Sequence, residues 1–106
     1  MVDLIILVWL HFIADFVFQT DEVAISKSKD NKILLLHVTL YAIPFFYFGW
    51  MFAVINAALH FVTDYFTSRW TAKLWAEEKR HQFFVVIGFD QAIHITTLII
   101  TYHYFV

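Results

Sequence analysis

The chain has 106 residues, of which 61% are hydrophobic and 15% charged, a composition that exposes more apolar surface than a soluble domain of this length can bury. Lipid is therefore expected as part of its solvent. A net charge of −2 and the lack of any basic stretch interleaved with aromatics exclude a nucleic-acid surface, and the absence of cysteine excludes disulfides, thiolate ligands and cysteine nucleophiles.

The first apolar segment, about residues 2–19, has no basic n-region and no small-residue cleavage site, and it carries His11 and Asp15 in its middle. It is read as a first membrane span, and residues 20–32, with Lys27, Lys29 and Lys32, as an interfacial loop. The next two apolar segments, about 33–48 and 51–68, have no charge between them. As one helix, Ile33 to Leu59 would run about 40 Å, well beyond a hydrocarbon core of about 30 Å. Pro44 and Gly49 favour a tight hairpin near Phe48 to Met51 instead. Residues 69–81 form a second polar segment, in which Trp70, Leu74 and Trp75 alternate with Arg69, Lys73 and Glu77 as expected of a short interfacial helix. The last apolar segment, about 82–106, completes four spans.

Every lysine and arginine lies in the two polar segments. With four spans both segments share one side, so the positive-inside bias predicts cytoplasmic loops, both termini outside, and residence in the cell (inner) membrane. The predicted architecture is all-α: one transmembrane domain, 1–106, forming a four-helix bundle. An internal repeat refines it. His11-Phe-Ile-Ala-Asp-Phe16 matches His60-Phe-Val-Thr-Asp-Tyr65, and His37-Val-Thr matches His94-Ile-Thr, which predicts two tandem helical hairpins related by a pseudo-two-fold axis along the membrane normal.

Within each span the polar residues recur every four positions: His11, Asp15 and Gln19; His37 and Tyr41; Asn56, His60 and Asp64; Asp90 and His94. Residues at i and i+4 share a helical face, so four polar stripes are expected to meet in the bundle core. Counted from the loop side, Asp15, His37 and Asp64 should lie about 6 Å deep, His11, Tyr41, His60 and Asp90 about 12 Å, and Asn56 and His94 about 18 Å. His81 and His103 fall at the ends of the last span and are expected at the interface.

Ionised aspartates in a low-dielectric core must share protons, pair with His⁺ or bind a cation. His with carboxylate is the donor set of Zn²⁺, Mn²⁺ or non-haem Fe, and inward donors from facing helices build carboxylate-bridged dinuclear sites. The expected metal ligands are His11, Asp15, His37, His60, Asp64, Asp90 and His94, with Zn favoured and Mn or Fe as alternatives. Asp15, Asp64, Asp90 and Tyr41 are the catalytic candidates. Three aspartates and a hydroxide would balance two divalent ions, which points to hydrolysis of a lipid or other membrane-associated ester or phosphate from the cytoplasmic side. The same residues also suit a proton or cation channel or transporter, the protein then being a homo-oligomer, or a non-catalytic membrane interaction module held together by polar contacts.

The segments His11-x-x-Ala-Asp-Phe-x-x-Gln19, Ala24-x-x-Lys27, His37-x-x-x-Tyr41, His60-x-x-x-Asp64-Tyr65 and Asp90-Gln91-x-x-His94 together resemble a family of small bacterial and phage membrane proteins of unknown function. That resemblance covers nearly the whole chain and implies its architecture and candidate residues, without a reaction. More loosely, the His/Asp pairs are similar to those of predicted membrane-bound metal-dependent hydrolases.

Overall fold

A computed structural model describes residues 1–106, and every element in it is helical. Helix α1 spans Val2–Phe12 and widens into a π-helical turn over Ile13–Val17, where the Phe18 amide reaches back five residues to the Ile13 carbonyl at 3.0 Å. Such turns insert one extra residue, which rotates the side chains downstream of it about the helix axis, and they recur at functional sites. Asp15 sits on this one.

The first polar segment, expected as a loop, contains a helix. α2 spans Asp21–Ser26, its N-terminus capped by the Thr20 hydroxyl, which accepts from the Val23 amide at 3.3 Å, with Asp21 and Glu22 in the positive first turn. Asp30 then caps α3 (Asn31–Ala42) by accepting from Lys32 N at 2.9 Å. α3 continues as a 3₁₀ segment, Ile43–Phe48, because Pro44 lacks the amide that an α-helical bond needs. The chain then reverses at Gly49, whose φ of 121° is closed to residues with a Cβ.

The second polar segment also departs from expectation. No separate interfacial helix forms, because α4 runs unbroken from Trp50 to Ala76 and takes up Arg69 to Trp75 as its last two turns. No Gly or Pro interrupts this stretch, and the Arg69 guanidinium anchors it, stacked 3.8 Å from the Tyr65 ring and bonded to the Tyr65 carbonyl and Asn31 Oδ1. α4 ends in a Schellman closure: Lys79 N donates to the Leu74 carbonyl and Glu78 N to that of Trp75, with Glu78 at φ 59°. α5 spans Arg80–Phe105.

α4 pairs along most of its length with α5 and packs against α3, while α1 lies against α5 and its π turn against α3. The half of the bundle remote from α2 is filled by Leu7, Phe45, Phe52, Ala53 and Leu98, and Tyr102 Oη ties α5 to Asp3 there at 2.8 Å. The half nearer α2 is polar. Of 25 buried residues, twelve are polar or charged, while Trp9, Phe12, Leu35, Val54, Phe84 and Ile100 face outward. Two helical segments, Asn31–Phe48 and Arg80–Phe105, are long and apolar enough to cross a membrane, with mean hydropathies of 1.3 and 1.8.

Candidate metal centre

Side chains from α1, α3, α4 and α5 meet in the polar half of the bundle. His11, Asp15, His37, His60, Asp64, Asp90 and His94 are all at most 7% exposed. The three depth layers expected from residue counting merge for His94, whose Nε2 reaches Asp64 Oδ1 at 3.0 Å and Asp90 Oδ2 at 3.1 Å while its ring stacks on His60 at 3.8 Å. Cβ bonds tilt toward the N-terminus of their helix, so side chains on the descending helices α1 and α4 lean one way along the bundle and those on the ascending α3 and α5 lean the other. The depths therefore converge. Asn56 stays apart, donating to the Phe52 carbonyl and to Thr101 Oγ1.

The tightest arrangement is a four-donor group. His37 Nε2 and His60 Nε2 are 3.2 Å apart; His37 Nε2 is 3.1 Å from Asp15 Oδ1 and 3.3 Å from Asp64 Oδ2; His60 Nε2 is 3.5 Å and 3.1 Å from the same two oxygens. Hydrogen bonds cannot account for this, because an imidazole Nε2 has a single in-plane donor or acceptor direction and each here faces three polar atoms. A central ion shared by the four donors would fit this geometry. An ion bound tetrahedrally at about 2.0–2.1 Å from N and O donors holds those donors about 3.3–3.4 Å apart. Five of the six edges, 3.1 to 3.5 Å, match that figure, so the buried cluster is capable of coordinating a divalent ion.

A second group adjoins the first. Asp15, Asp90 and His94 offer donor atoms within 4.8 Å of one another. Asp15 belongs to both groups, its Oδ1 facing His37 while Oδ2 accepts from Gln91 Nε2 at 3.1 Å, and Asp64 likewise divides its oxygens, Oδ2 facing His37 and His60 while Oδ1 faces His94. His11 belongs to neither close group. Its Nδ1 meets Tyr41 Oη at 2.8 Å, its Nε2 meets Gln91 Oε1 at 2.6 Å, and Asp15 Oδ2 stands 3.8 Å away, against 3.1 Å for the corresponding pair His60 and Asp64. The π turn between Ile13 and Val17 explains the difference, since it breaks the i, i+4 register that α4 keeps. Tyr41 is buried, engaged by His11 and packed on the His60 ring at 4.0 Å.

Three residues outside the expected set take part. Lys27 Nζ, carried on the α2–α3 turn, lies 3.2 Å from Asp64 Oδ2. The Gln91 amide bridges His11, Asp15 and Asp90, and Thr67 Oγ1 donates to Asp90 Oδ1 at 2.5 Å. Thr67 is three residues beyond Asp64 and one helical turn from the stripe, so spacing alone marks its face without marking its role. His81 and His103 are exposed and distant.

Beside the cluster, between the α2–α3 segment, α4 and α5, opens a cavity of about 560 Å³ that reaches Asp64, Asp90 and Thr67 and is walled elsewhere by Gln19, Lys27 and Trp75 among others. It gives the buried carboxylates a path to the surface.

No curated protein and no solved structure matches the chain. One family model does, and it takes in the π turn, all four long helical segments and every residue of the cluster. Matching residues 4–106, the chain belongs to the family described as "Protein of unknown function (DUF3307)".

Proposed function

We propose that the protein is a membrane-embedded, metal-dependent hydrolase with a dinuclear centre, in which Asp15, Asp64, His37 and His60 would hold one ion and Asp90, His94 and His11, with the remaining oxygens of Asp15 and Asp64, would hold the other. The observation that carries this is the four-donor group of His37, His60, Asp15 and Asp64, five of whose six edges have the length that a tetrahedrally bound ion requires. The division of carboxylate oxygens supports the second ion. So does the repeat: His37 Nε2 meets Asp15 Oδ1 at 3.1 Å as His94 Nε2 meets Asp64 Oδ1 at 3.0 Å, the pattern expected of two tandem hairpins about a pseudo-two-fold axis. On that axis His11 corresponds to His60, and rotation of Gln91 away from His11 would free its Nε2 for the second ion.

Membrane embedding rests on the large apolar side chains that face outward around a buried His/Asp cluster, which suits four spans near 2–19, 33–48, 51–68 and 82–106 with both loops cytoplasmic. The ions, Zn²⁺ foremost with Mn²⁺ or Fe²⁺ as alternatives, supply Lewis acidity and a water deprotonated near neutral pH. In hydrolysis the water oxygen bonds to the acyl carbon or phosphorus, the ester C–O or P–O bond breaks, and the proton lost by the water passes to the departing alkoxide. Asp90 fits the proton carrier, since it is the aspartate that both lines the cavity and accepts from Thr67. Tyr41 orients His11 through its hydroxyl.

The test is hydrolysis in vesicles of phosphatidylglycerol and phosphatidylethanolamine. Zinc-loaded or manganese-loaded protein is expected to release fatty acid or a phosphate-containing head group, to lose this on chelation and regain it on metal return, and to run at least about 100-fold faster than D64N. No release above protein-free vesicles by the metal-loaded wild type would overturn the hydrolase.

A further inference from the structure

The cavity next to the cluster shares Asp64 and Asp90 with the metal centre and adds groups that the centre does not use. Its inner end holds Asp64, Asp90 and Thr67; its mouth holds Lys27 and Lys29; its outer wall is Trp75, Phe83 and Ile87. Two buried polar atoms on this lining have no partner in the protein, Gln19 Oε1 and Ser68 Oγ, and Ser68 is 8% exposed. Buried polar atoms are ordinarily hydrogen-bonded, so an orphaned hydroxyl on a cavity wall marks a position where something else supplies the partner. At about 560 Å³ the space lies in the range of small-molecule sites, about 300–1,000 Å³, and exceeds what a lone inorganic anion needs.

Lys27 has the most particular placement. Its ammonium is drawn inward to Asp64 Oδ2 at 3.2 Å, although that oxygen already faces His37 and His60. A divalent ion held by the same oxygen would compete for Asp64 and turn the ammonium back to the cavity, where the nearest unfilled role is pairing with an anion. Apolar walls beyond a cationic mouth complete the shape of an amphiphile: anionic head inside, chain outside along Trp75, Phe83 and Ile87.

We infer that this cavity binds the head group of one membrane phospholipid, its phosphate on Lys27 with the Ser68 hydroxyl donating, and its chains leaving over Trp75 and Phe83. This inference rests on the reading of the cluster as the centre of a lipid hydrolase, and it narrows that reading to phosphate-bearing lipids presented beside Asp90. Phosphate also distinguishes the substrate from neutral esters of the same chain length, because only a charged head uses Lys27.

Native mass spectrometry of the detergent-purified chain tests this, since one spectrum resolves bound metal and bound lipid by mass. With phosphatidic acid and diacylglycerol of identical chains offered at equal concentration, the protein is expected to retain one phosphatidic acid at least about ten-fold more than diacylglycerol. K27Q removes the charge, and A72W fills the cavity from the exposed face of α4 without touching the cluster. Both are expected to lose the adduct and to keep the fold, read by circular dichroism. Equal retention of the two lipids by the wild type, or an undiminished phosphatidic acid adduct in folded K27Q or A72W, overturns the inference. A spectrum with lipid and no metal instead overturns the metal centre and leaves the lipid site standing.

Discussion

Replacing Asp64 with alanine is expected to strip the purified protein of both bound ions and to cost it about 3–5 kcal/mol of stability, the largest single effect in the chain. Asp64 is the most heavily engaged group in the bundle. One oxygen meets His37, His60 and Lys27, and the other meets His94, so three helices and the α2–α3 turn converge on one carboxylate. Its loss leaves the Lys27 ammonium facing imidazoles across a vacated pocket, an uncompensated charge at low dielectric. D64N separates the two consequences. The amide keeps the shape and one carbonyl oxygen but not the charge, so it should retain most of the fold while losing metal affinity by at least about 100-fold. Thermal unfolding in detergent, run beside elemental analysis, reads both.

The second expected result is an asymmetry between two histidines that sequence makes look equivalent. H37A should remove the ion at the four-donor group, because it deletes the atom shared by three of its edges. H94A should leave that ion in place and remove only the other, giving about one ion per chain against the two proposed for the wild type. If the cluster served only to hold helices together, neither variant would change metal content and H94A would be the more disruptive, since each ring pairs with two aspartates but only that of His94 also stacks face to face on His60. Metal content set against melting temperature for the two variants distinguishes these outcomes.

Much of the cluster is legible from spacing. Polar residues at every fourth position of otherwise apolar segments determine one face per helix, and in an all-α chain four such faces have only each other to meet, which is why His37, His60, Asp15 and Asp64 converge as their periodicity implies. Gly49 and Pro44 likewise announce a reversal through backbone chemistry that is local. The features that spacing misses depend on relations between helices. The π turn under Asp15 has no composition signal in Ile-Ala-Asp-Phe-Val, yet it decides that His11 pairs with Gln91 and Tyr41 while His60 faces the quartet. Residue counting places His94 beside Asn56, but opposite side-chain tilts on ascending and descending helices bring it to Asp64 instead. Lys27 lies in a segment whose charge pattern reads as an interfacial loop; the capping chemistry of Thr20 and Asp30 folds that segment into α2 and swings the lysine inward. Arg69 to Trp75 alternate like an interfacial helix because the exposed face at the end of a long helix carries the same pattern.

The most direct test of the central claim is the metal content of the detergent-purified wild-type chain, measured by elemental analysis as isolated and again after incubation with Zn²⁺, Mn²⁺ or Fe²⁺ and removal of excess, with X-ray absorption on the loaded sample. Two ions per chain, with a shell of N and O donors at about 2.0–2.1 Å, is the predicted result. A chain that holds no stoichiometric metal in either state contradicts it.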